Sequence, residues 1–142
     1  MKPLLSRALL ILGLGLLLGG CATYDAQVDG GRSVSRLKHF FVVSNLNDNH
    51  ALDAHIAASL KAREREAGVG PLTMMPDDAQ AIVTFQDRWD WDFGEHLVYL
   101  KIMVRDPQAI QPFATETFVA KVPLRESPAE TIDRLVGKLL EK

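Results

Sequence analysis

Acidic side chains and one histidine crowd a short stretch in the middle of the chain. The stretch contains Asp87, Asp90, Asp92, Glu95 and His96. Paired carboxylates can perform general acid–base catalysis when burial separates their pKa values. Charges on alternating strand positions near a turn more often keep a hairpin soluble. The sequence therefore predicts no catalytic residue here and no enzyme activity.

Motifs for metals and cofactors are incomplete. Asparagines alternate within residues 45–49 like the oxygen ligands of an EF-hand, but Ile56 stands where the bidentate glutamate is needed. His50 and His55 are five residues apart, so a helix would not place them on one face as a metal pair requires. No metal and no cofactor is predicted.

Trp89 and Trp91 form the first of two candidate binding surfaces. Two residues apart on a strand, they share one face near a predicted turn. Exposed aromatic rings with an acidic fringe make good contacts with a partner or a glycan. The alternative, which is the commoner situation for tryptophan, is that both rings are core residues beneath the helices.

Basic residues around a tyrosine form the second candidate surface. Arg88, Tyr99, Lys101, Arg105 and Lys121 are expected on the face of the sheet that the helices leave uncovered. Such a patch could bind anionic lipid or an acidic partner. The alternative is an ordinary solvated sheet face.

The N-terminus has the pattern of a secretory signal. Lys2 and Arg7 precede an uncharged apolar run from 8 to 18. A transmembrane helix needs about 20 apolar residues, so this run is too short to span a bilayer. Residues 1–20 are therefore predicted to be cleaved.

The end of this signal carries the only cysteine. The segment Leu18-Gly19-Gly20-Cys21 resembles the lipobox of bacterial lipoproteins, with an aliphatic residue, two small residues and then cysteine. The resemblance implies cleavage before Cys21 and acylation of that residue. Two or more acyl chains give durable membrane attachment. Because Ala22 rather than aspartate follows the cysteine, the resemblance also implies the periplasmic face of the outer membrane.

Composition narrows the remaining possibilities. The 142 residues include 16 Lys and Arg against 18 Asp and Glu, a balance that argues against nucleic-acid binding. With a single cysteine no internal disulfide can form. Residues 21–38 are polar and small, which predicts a lipid anchor and flexible tether, and residues 39–142 are predicted to form one periplasmic domain.

Two helices and several strands are expected in that domain. The apolar run 40–43 predicts a strand, and apolar positions from Leu52 predict a helix that ends at Gly68. The proline-bounded segment 71–76 suits an edge strand or an extended connection. Ser127 begins a capping box, and the apolar period after it predicts a second helix.

The strongest local pattern predicts a long antiparallel hairpin between Ala81 and Arg105. Pairing Trp91 with His96 places Trp89 opposite Val98. The same register places Asp87 opposite Leu100, Phe85 opposite Ile102 and Val83 opposite Val104. One face is then apolar except for Asp87 and His96, and a β-bulge that turns Asp87 toward water is expected.

A further strand over residues 115–122 completes an α+β two-layer sandwich. Its mainly antiparallel sheet, a long hairpin plus meander, carries both helices on one face. This order of elements resembles small periplasmic α/β lipoproteins with a fold like the N-terminal domain of TolB. The resemblance implies a fold and a setting but no site residue.

These observations lead to a functional expectation. The sequence favours a membrane-anchored periplasmic lipoprotein that is non-catalytic and binds an envelope partner or component. An accessory subunit of envelope lipid or substrate transport is the alternative, and a small hydrolase is third. The sequence leaves the oligomeric state open.

Overall fold

The computed structural model describes residues 31–91, 94–120 and 126–142, and the backbone of residues 22–28. These residues form six strands and two helices. The strands are β1 (Ala22–Val28), β2 (His39–Val43), β3 (Glu66–Gly70), β4 (Ala81–Asp90), β5 (His96–Arg105) and β6 (Pro112–Ala120). The helices are α1 (Leu52–Lys61) and α2 (Pro128–Leu140).

All six strands belong to one sheet, in the order β1-β6-β5-β4-β2-β3. The four strands from β1 to β4 in that order are antiparallel neighbours, whereas β2 is parallel to both β4 and β3. Both helices pack on the same face of the sheet and against each other. The predicted α+β two-layer fold with a mainly antiparallel sheet is confirmed.

The core lies between that sheet face and the helices. Alternate residues of the central strands supply one side, including Val83, Leu100 and Ile102, each at most 2% exposed. Ile56 and Leu135 supply the other side from the two helices and are 0% exposed. Burying each such side chain contributes about 1.5–3 kcal/mol, so this layer contact holds the domain together.

The hairpin register is confirmed over most of its length. Val83 pairs with Val104 and Asp87 pairs with Leu100, as the alternating pattern predicts. The register then shifts between Arg88 and Trp89, so Trp89 pairs with Leu97. The predicted pairing of Trp89 with Val98 was therefore wrong, because a bulge leaves one extra residue on β5. Asp90 rather than Trp91 pairs with His96.

The segment predicted as a tether forms structure. Residues 22–28 pair with β6 along seven positions, and a 3₁₀ turn at residues 34–36 places Val34 in the core at 1% exposure. Thr23, Tyr24 and Val28 favour strands, and an isolated valine between polar residues is easy to miss. The described part of the domain therefore begins at Ala22, not at residue 39.

Helix α1 is shorter than predicted. It ends at Lys61, and Glu64 adopts a left-handed conformation with φ of 59°. The chain then enters β3, where Gly68 lies beside the Phe41 ring. A Cβ on Gly68 would come within 3.2 Å of that ring. Gly68 thus allows close packing between β3 and β2 instead of ending a helix, and residues 72–74 form a 3₁₀ turn rather than an edge strand.

Helix α2 begins where the sequence predicts. The Ser127 hydroxyl accepts a hydrogen bond from the Glu130 amide, and the Glu130 carboxylate accepts one from the Ser127 amide at 2.8 Å. The hydrogen bonds that the Ser127 amide and the Ser127 hydroxyl donate to the Glu130 carboxylate lower the pKa of Glu130. The capping box satisfies two amides that the helix leaves free, which fixes the start of α2.

Candidate functional site

A cluster of aromatic and acidic side chains lies where β4 turns into β5. We call Trp89–Trp91 and Gly94–His96 the hairpin tip. Trp89 is half-buried against the core, and its indole Nε1 donates a hydrogen bond to Asp87 Oδ2 at 2.8 Å. One face of the same indole stacks on His50, with ring centroids 3.6 Å apart and planes 15° apart. Trp89 is thus held on two sides.

His50 reaches the hairpin tip because the loop between β2 and α1 is tightly folded. Asp48 Oδ1 accepts a hydrogen bond from the His50 amide at 2.8 Å, and Asp48 Oδ2 accepts one from the Leu52 amide at 2.5 Å. Ala51 between them is left-handed, with φ of 53°, a conformation that costs a non-glycine residue about 1 kcal/mol. Asp48 therefore both caps α1 and positions His50.

The acidic side chains at this end brace the aromatic rings. Glu95 Oε1 lies 3.1 Å from His50 Nε2, and Asp87 bonds Trp89 as described. His96 Nδ1 lies 2.9 Å from the Gly94 carbonyl oxygen. Asp87 and Glu95 therefore each contact an aromatic ring, Trp89 and His50 respectively, whereas Asp90 is exposed. Asp92 lies outside the described residues.

The two tryptophans have different environments. Trp89 is packed against the core, whereas Trp91 is 75% exposed. Leu46, in the loop that carries His50, is 99% exposed. Trp89 is thus a packed ring and Trp91 an exposed one, and a binding role for Trp91 stays a prediction.

The second candidate surface lies on the sheet face opposite the helices. Arg88 is exposed, and Tyr99 pairs with it across the hairpin. Lys101 lies on the same face of β5, two residues along. Arg105, however, donates to the Ala109 carbonyl at 2.7 Å and so closes the loop between β5 and β6. Lys121 lies outside the described residues, and a binding role for this face stays a prediction.

The structure contains a buried ion pair that the sequence patterns do not predict. Glu116 is 1% exposed, and its Oε1 accepts a hydrogen bond from Lys142 Nζ at 2.5 Å. Its second oxygen, Oε2, has no hydrogen-bond partner among the described residues. The Lys142 carbonyl in turn accepts from the Ser33 hydroxyl at 2.6 Å. The sequence does contain one signal for this pair. Glu116 is two residues from Phe118 on the same strand, so it shares the apolar face of Phe118.

A second polar cluster joins the two helices. The Arg63 guanidinium donates to Asp133 Oδ1 at 2.6 Å and to Asp133 Oδ2 at 2.9 Å, and Ser59 Oγ donates to Oδ1 at 2.8 Å. The Arg63 and Ser59 hydrogen bonds lower the pKa of Asp133 to about 2, and Asp133 raises the pKa of Arg63. This cluster lies beside an open groove of about 490 Å³ between α1 and α2.

Another open groove, of about 380 Å³, lies where β2 and β3 begin. His39 Nδ1 is 3.3 Å from carboxylate oxygens of both Glu66 and Asp78 at its rim. Within residues 31–91, 94–120 and 126–142 no group of three or more histidine, cysteine or acidic side chains has the arrangement of a metal site. In the same residues no helix is long and apolar enough to cross a membrane.

Solved structures with the same fold are found, although no protein-family model and no curated protein sequence matches the chain. The PelC dodecamer from Paraburkholderia phytofirmans superimposes with a TM-score of 0.60 at 14% sequence identity, covering 84% of this chain and 95% of that one. A leucine-to-methionine variant of that dodecamer gives a TM-score of 0.58 with the same identity and coverage. The similarity establishes the fold.

Proposed function

We propose that this protein is a lipid-anchored protein of the bacterial envelope that acts as a non-catalytic binding and assembly module. The observation that carries the proposal is the lipobox Leu18-Gly19-Gly20-Cys21. It stands directly before β1, so processing at Cys21 leaves the whole folded domain intact. The lipobox lies outside the described residues.

The arrangement of the polar groups supports a non-catalytic role. Asp87 and Glu95 hold aromatic rings, and Arg63 and Asp133 hold two helices together. An acid–base catalyst needs a group that can reach a substrate. Hydrolase activity of the purified protein would contradict the proposal if Asp87→Asn or His96→Gln abolished that activity.

Self-assembly is the second part of the proposal. PelC from Paraburkholderia phytofirmans, which shares this fold, is a dodecamer. The sheet of the present chain has β1 and β3 at its edges, and an open edge can pair with another chain. We infer that copies of this protein form a homo-oligomer. Native mass spectrometry of the protein extracted in detergent tests this, and a monomer at all concentrations would contradict it.

Lipidation and sorting are tested in cells. Wild-type protein should incorporate labelled palmitate and sediment with outer-membrane vesicles on a density gradient. Cys21→Ser should lose the label, because the acylated thiol is gone. Ala22→Asp is the matched control for sorting: it should keep the label and move to the inner-membrane fraction. An unlabelled wild-type protein would contradict the proposed anchor.

An accessory role in envelope lipid transport is the alternative function. The exposed Arg88 and the neighbouring Lys101 favour it, because cations on an open sheet face attract anionic headgroups. It differs from the main proposal in requiring bound lipid away from the anchor. Lipid analysis of the Cys21→Ser protein purified without detergent distinguishes the two.

A further inference from the structure

The sheet register locates the anchor relative to the hairpin tip. Thr23 pairs with Val119, Val119 with Tyr99, and Tyr99 with Arg88, so these four residues form one row across the sheet. Cys21 stands two residues before Thr23 in the chain, and β1 runs antiparallel to β6.

Both chain directions lead from this row toward the same end of the sheet. Trp91 follows Arg88 by three residues, or about 10 Å at the rise of a strand. From this row the chain therefore continues toward the same end of the sheet in both places, to Cys21 before β1 and to Trp91 after β4. An acyl chain attached at Cys21 leaves the domain at the end that carries Trp91.

Leu46 belongs to the same end. Strand β2 runs parallel to β4, so the loop that follows β2 leaves the sheet in the direction of the hairpin tip. The stack between His50 and Trp89 and the contact between His50 and Glu95 hold this loop against the tip. Leu46 and Trp91 are thus two exposed apolar side chains on loops at the same end of the sheet.

We propose that this end of the domain docks onto the leaflet that holds the lipid anchor, with Trp91 and Leu46 in the membrane interface. The inference rests on the proposed lipidation of Cys21. Tryptophan is enriched at the level of the headgroups, where its ring is partly apolar and its indole N–H stays hydrated. Because β1 begins at Ala22, no tether separates the domain from the lipid surface.

The charges at this end fit a zwitterionic surface. Asp90 and Glu95 are exposed beside Trp91, and Arg88 is a nearby exposed cation. Carboxylates are repelled by the negative potential of an anionic leaflet. The docking therefore depends on apolar contact, and adding anionic lipid should weaken it.

Fluorescence quenching by brominated lipid tests the docking. The full lipidated chain is reconstituted in vesicles of phosphatidylcholine and phosphatidylethanolamine, with part of the phosphatidylcholine brominated. Trp89→Phe leaves Trp91 as the single tryptophan, since the chain has 2. The matched control replaces both tryptophans with phenylalanine and adds Ile110→Trp. Ile110 is 90% exposed in the loop between β5 and β6, at the opposite end of the sheet.

The expected result is an emission from Trp91 that shifts to the blue and falls by about twofold, as for a ring at the headgroup level. The tryptophan at position 110 should show neither change. Equal quenching at both positions would overturn the proposal, because the domain would then have no fixed orientation. A blue shift of Trp91 that depends on protein concentration without quenching would overturn it too, since the tip would then bind a second copy.

Intact mass spectrometry distinguishes a failure of the proposed lipidation from a failure of the docking alone. A protein whose Cys21 carries no acyl group contradicts the proposed function and the docking with it. A lipidated protein whose Trp91 is unquenched contradicts the docking alone. Circular dichroism on each variant establishes that it is folded.

Discussion

At the end of the sheet opposite the hairpin tip, charged side chains are bonded inside the domain, whereas at the tip apolar side chains face solvent. Arg32 forms an ion pair with Asp106, and Arg105 donates to a loop carbonyl. At the tip, Trp91 and Leu46 are 75% and 99% exposed. We call the first the closed end, because these polar contacts close its loop, although Ile110 of that loop is 90% exposed. The second exposes two large apolar side chains, on loops that the stack between His50 and Trp89 holds together.

The two ends also differ in the side-chain contacts that stabilise them. Lys142 pairs with the buried Glu116 near the closed end, while the tip is braced by an indole stacked on an imidazole. A buried ion pair is sensitive to loss of one partner, because a charge is left without compensation. Loss of the stacked indole removes packing and one hydrogen bond but leaves no buried charge without compensation. The two ends should therefore respond differently to single substitutions.

The largest effect is expected from Lys142→Met. The substitution leaves Glu116 buried without its cation and should lower the free energy of unfolding by about 3 kcal/mol. Urea denaturation measures it. The double variant Lys142→Met with Glu116→Met is the control and should recover most of the loss. An unchanged stability in Lys142→Met would mean that the ion pair does not hold the closed end together.

Trp89→Ala should have the next largest effect. It removes the ring that packs on His50 and the donor to Asp87, and should cost about 2 kcal/mol of stability, less than a fully buried tryptophan. Trp91→Ala is the matched control two residues away and should change stability by no more than about 0.5 kcal/mol. Thermal unfolding measures both. Equal losses would show that Trp91 also supports the fold.

A smaller effect, visible through pH, is expected at the helix pair. The folded-state pKa of Asp133 is about 2, below its ordinary value of 3.8. A lowered carboxyl pKa contributes stability above the ordinary value that is lost as pH falls through the lowered one. Asp133→Asn should therefore be less stable than wild type at neutral pH, with a gap that closes between 3.8 and about 2.

Urea denaturation across that pH range measures the gap. Glu141→Gln, on the same terminal part of the chain, is a control for general charge effects. A difference that is constant with pH would mean that ionisation of Asp133 does not contribute.

The smallest effect is expected on the open sheet face. Changing Arg88, Lys101 and Lys121 to glutamate should leave docking to zwitterionic vesicles unchanged, because apolar side chains at the tip supply that contact. Against anionic vesicles each reversal should weaken any attraction by about 1 kcal/mol. Co-sedimentation measures both. Loss of binding to zwitterionic vesicles would move the lipid contact from the tip to this face.

The amphipathic patterns made the antiparallel half of the sheet predictable. In the hairpin, the alternation around Phe85 and Ile102 fixes one register, because a slip of one residue would put apolar side chains in water. The capping box at Ser127 likewise marks the start of α2. Both signals are local, so the sequence contains them in full.

The parallel edge and β1 could not be predicted in the same way. Strand β3 is Glu-Ala-Gly-Val-Gly, which has no alternation; it is a strand through its pairing with β2, where Gly68 lies beside the Phe41 ring. Strand β1 depends on the free edge of β6. These elements depend on contacts between distant parts of the chain, and local patterns do not encode such contacts.

The candidate site was predictable in part for the same reason. The sequence placed both tryptophans near a turn, but their separation into a packed Trp89 and an exposed Trp91 depends on His50, which lies 39 positions before Trp89 in the chain. The Glu116 pair depends on the last residue of the chain in the same way. Charged residues at apolar positions of a strand are the signal that finds such pairs.

The start of β1 directly after Cys21 has a mechanical consequence. With an acyl anchor on Cys21, any force that pulls the domain from the membrane acts on Ala22 along the axis of β1. The seven paired positions between β1 and β6 would then bear the load together, in shear, rather than opening one after another. The edge strand would thus serve as the load-bearing joint between the lipid and the folded domain.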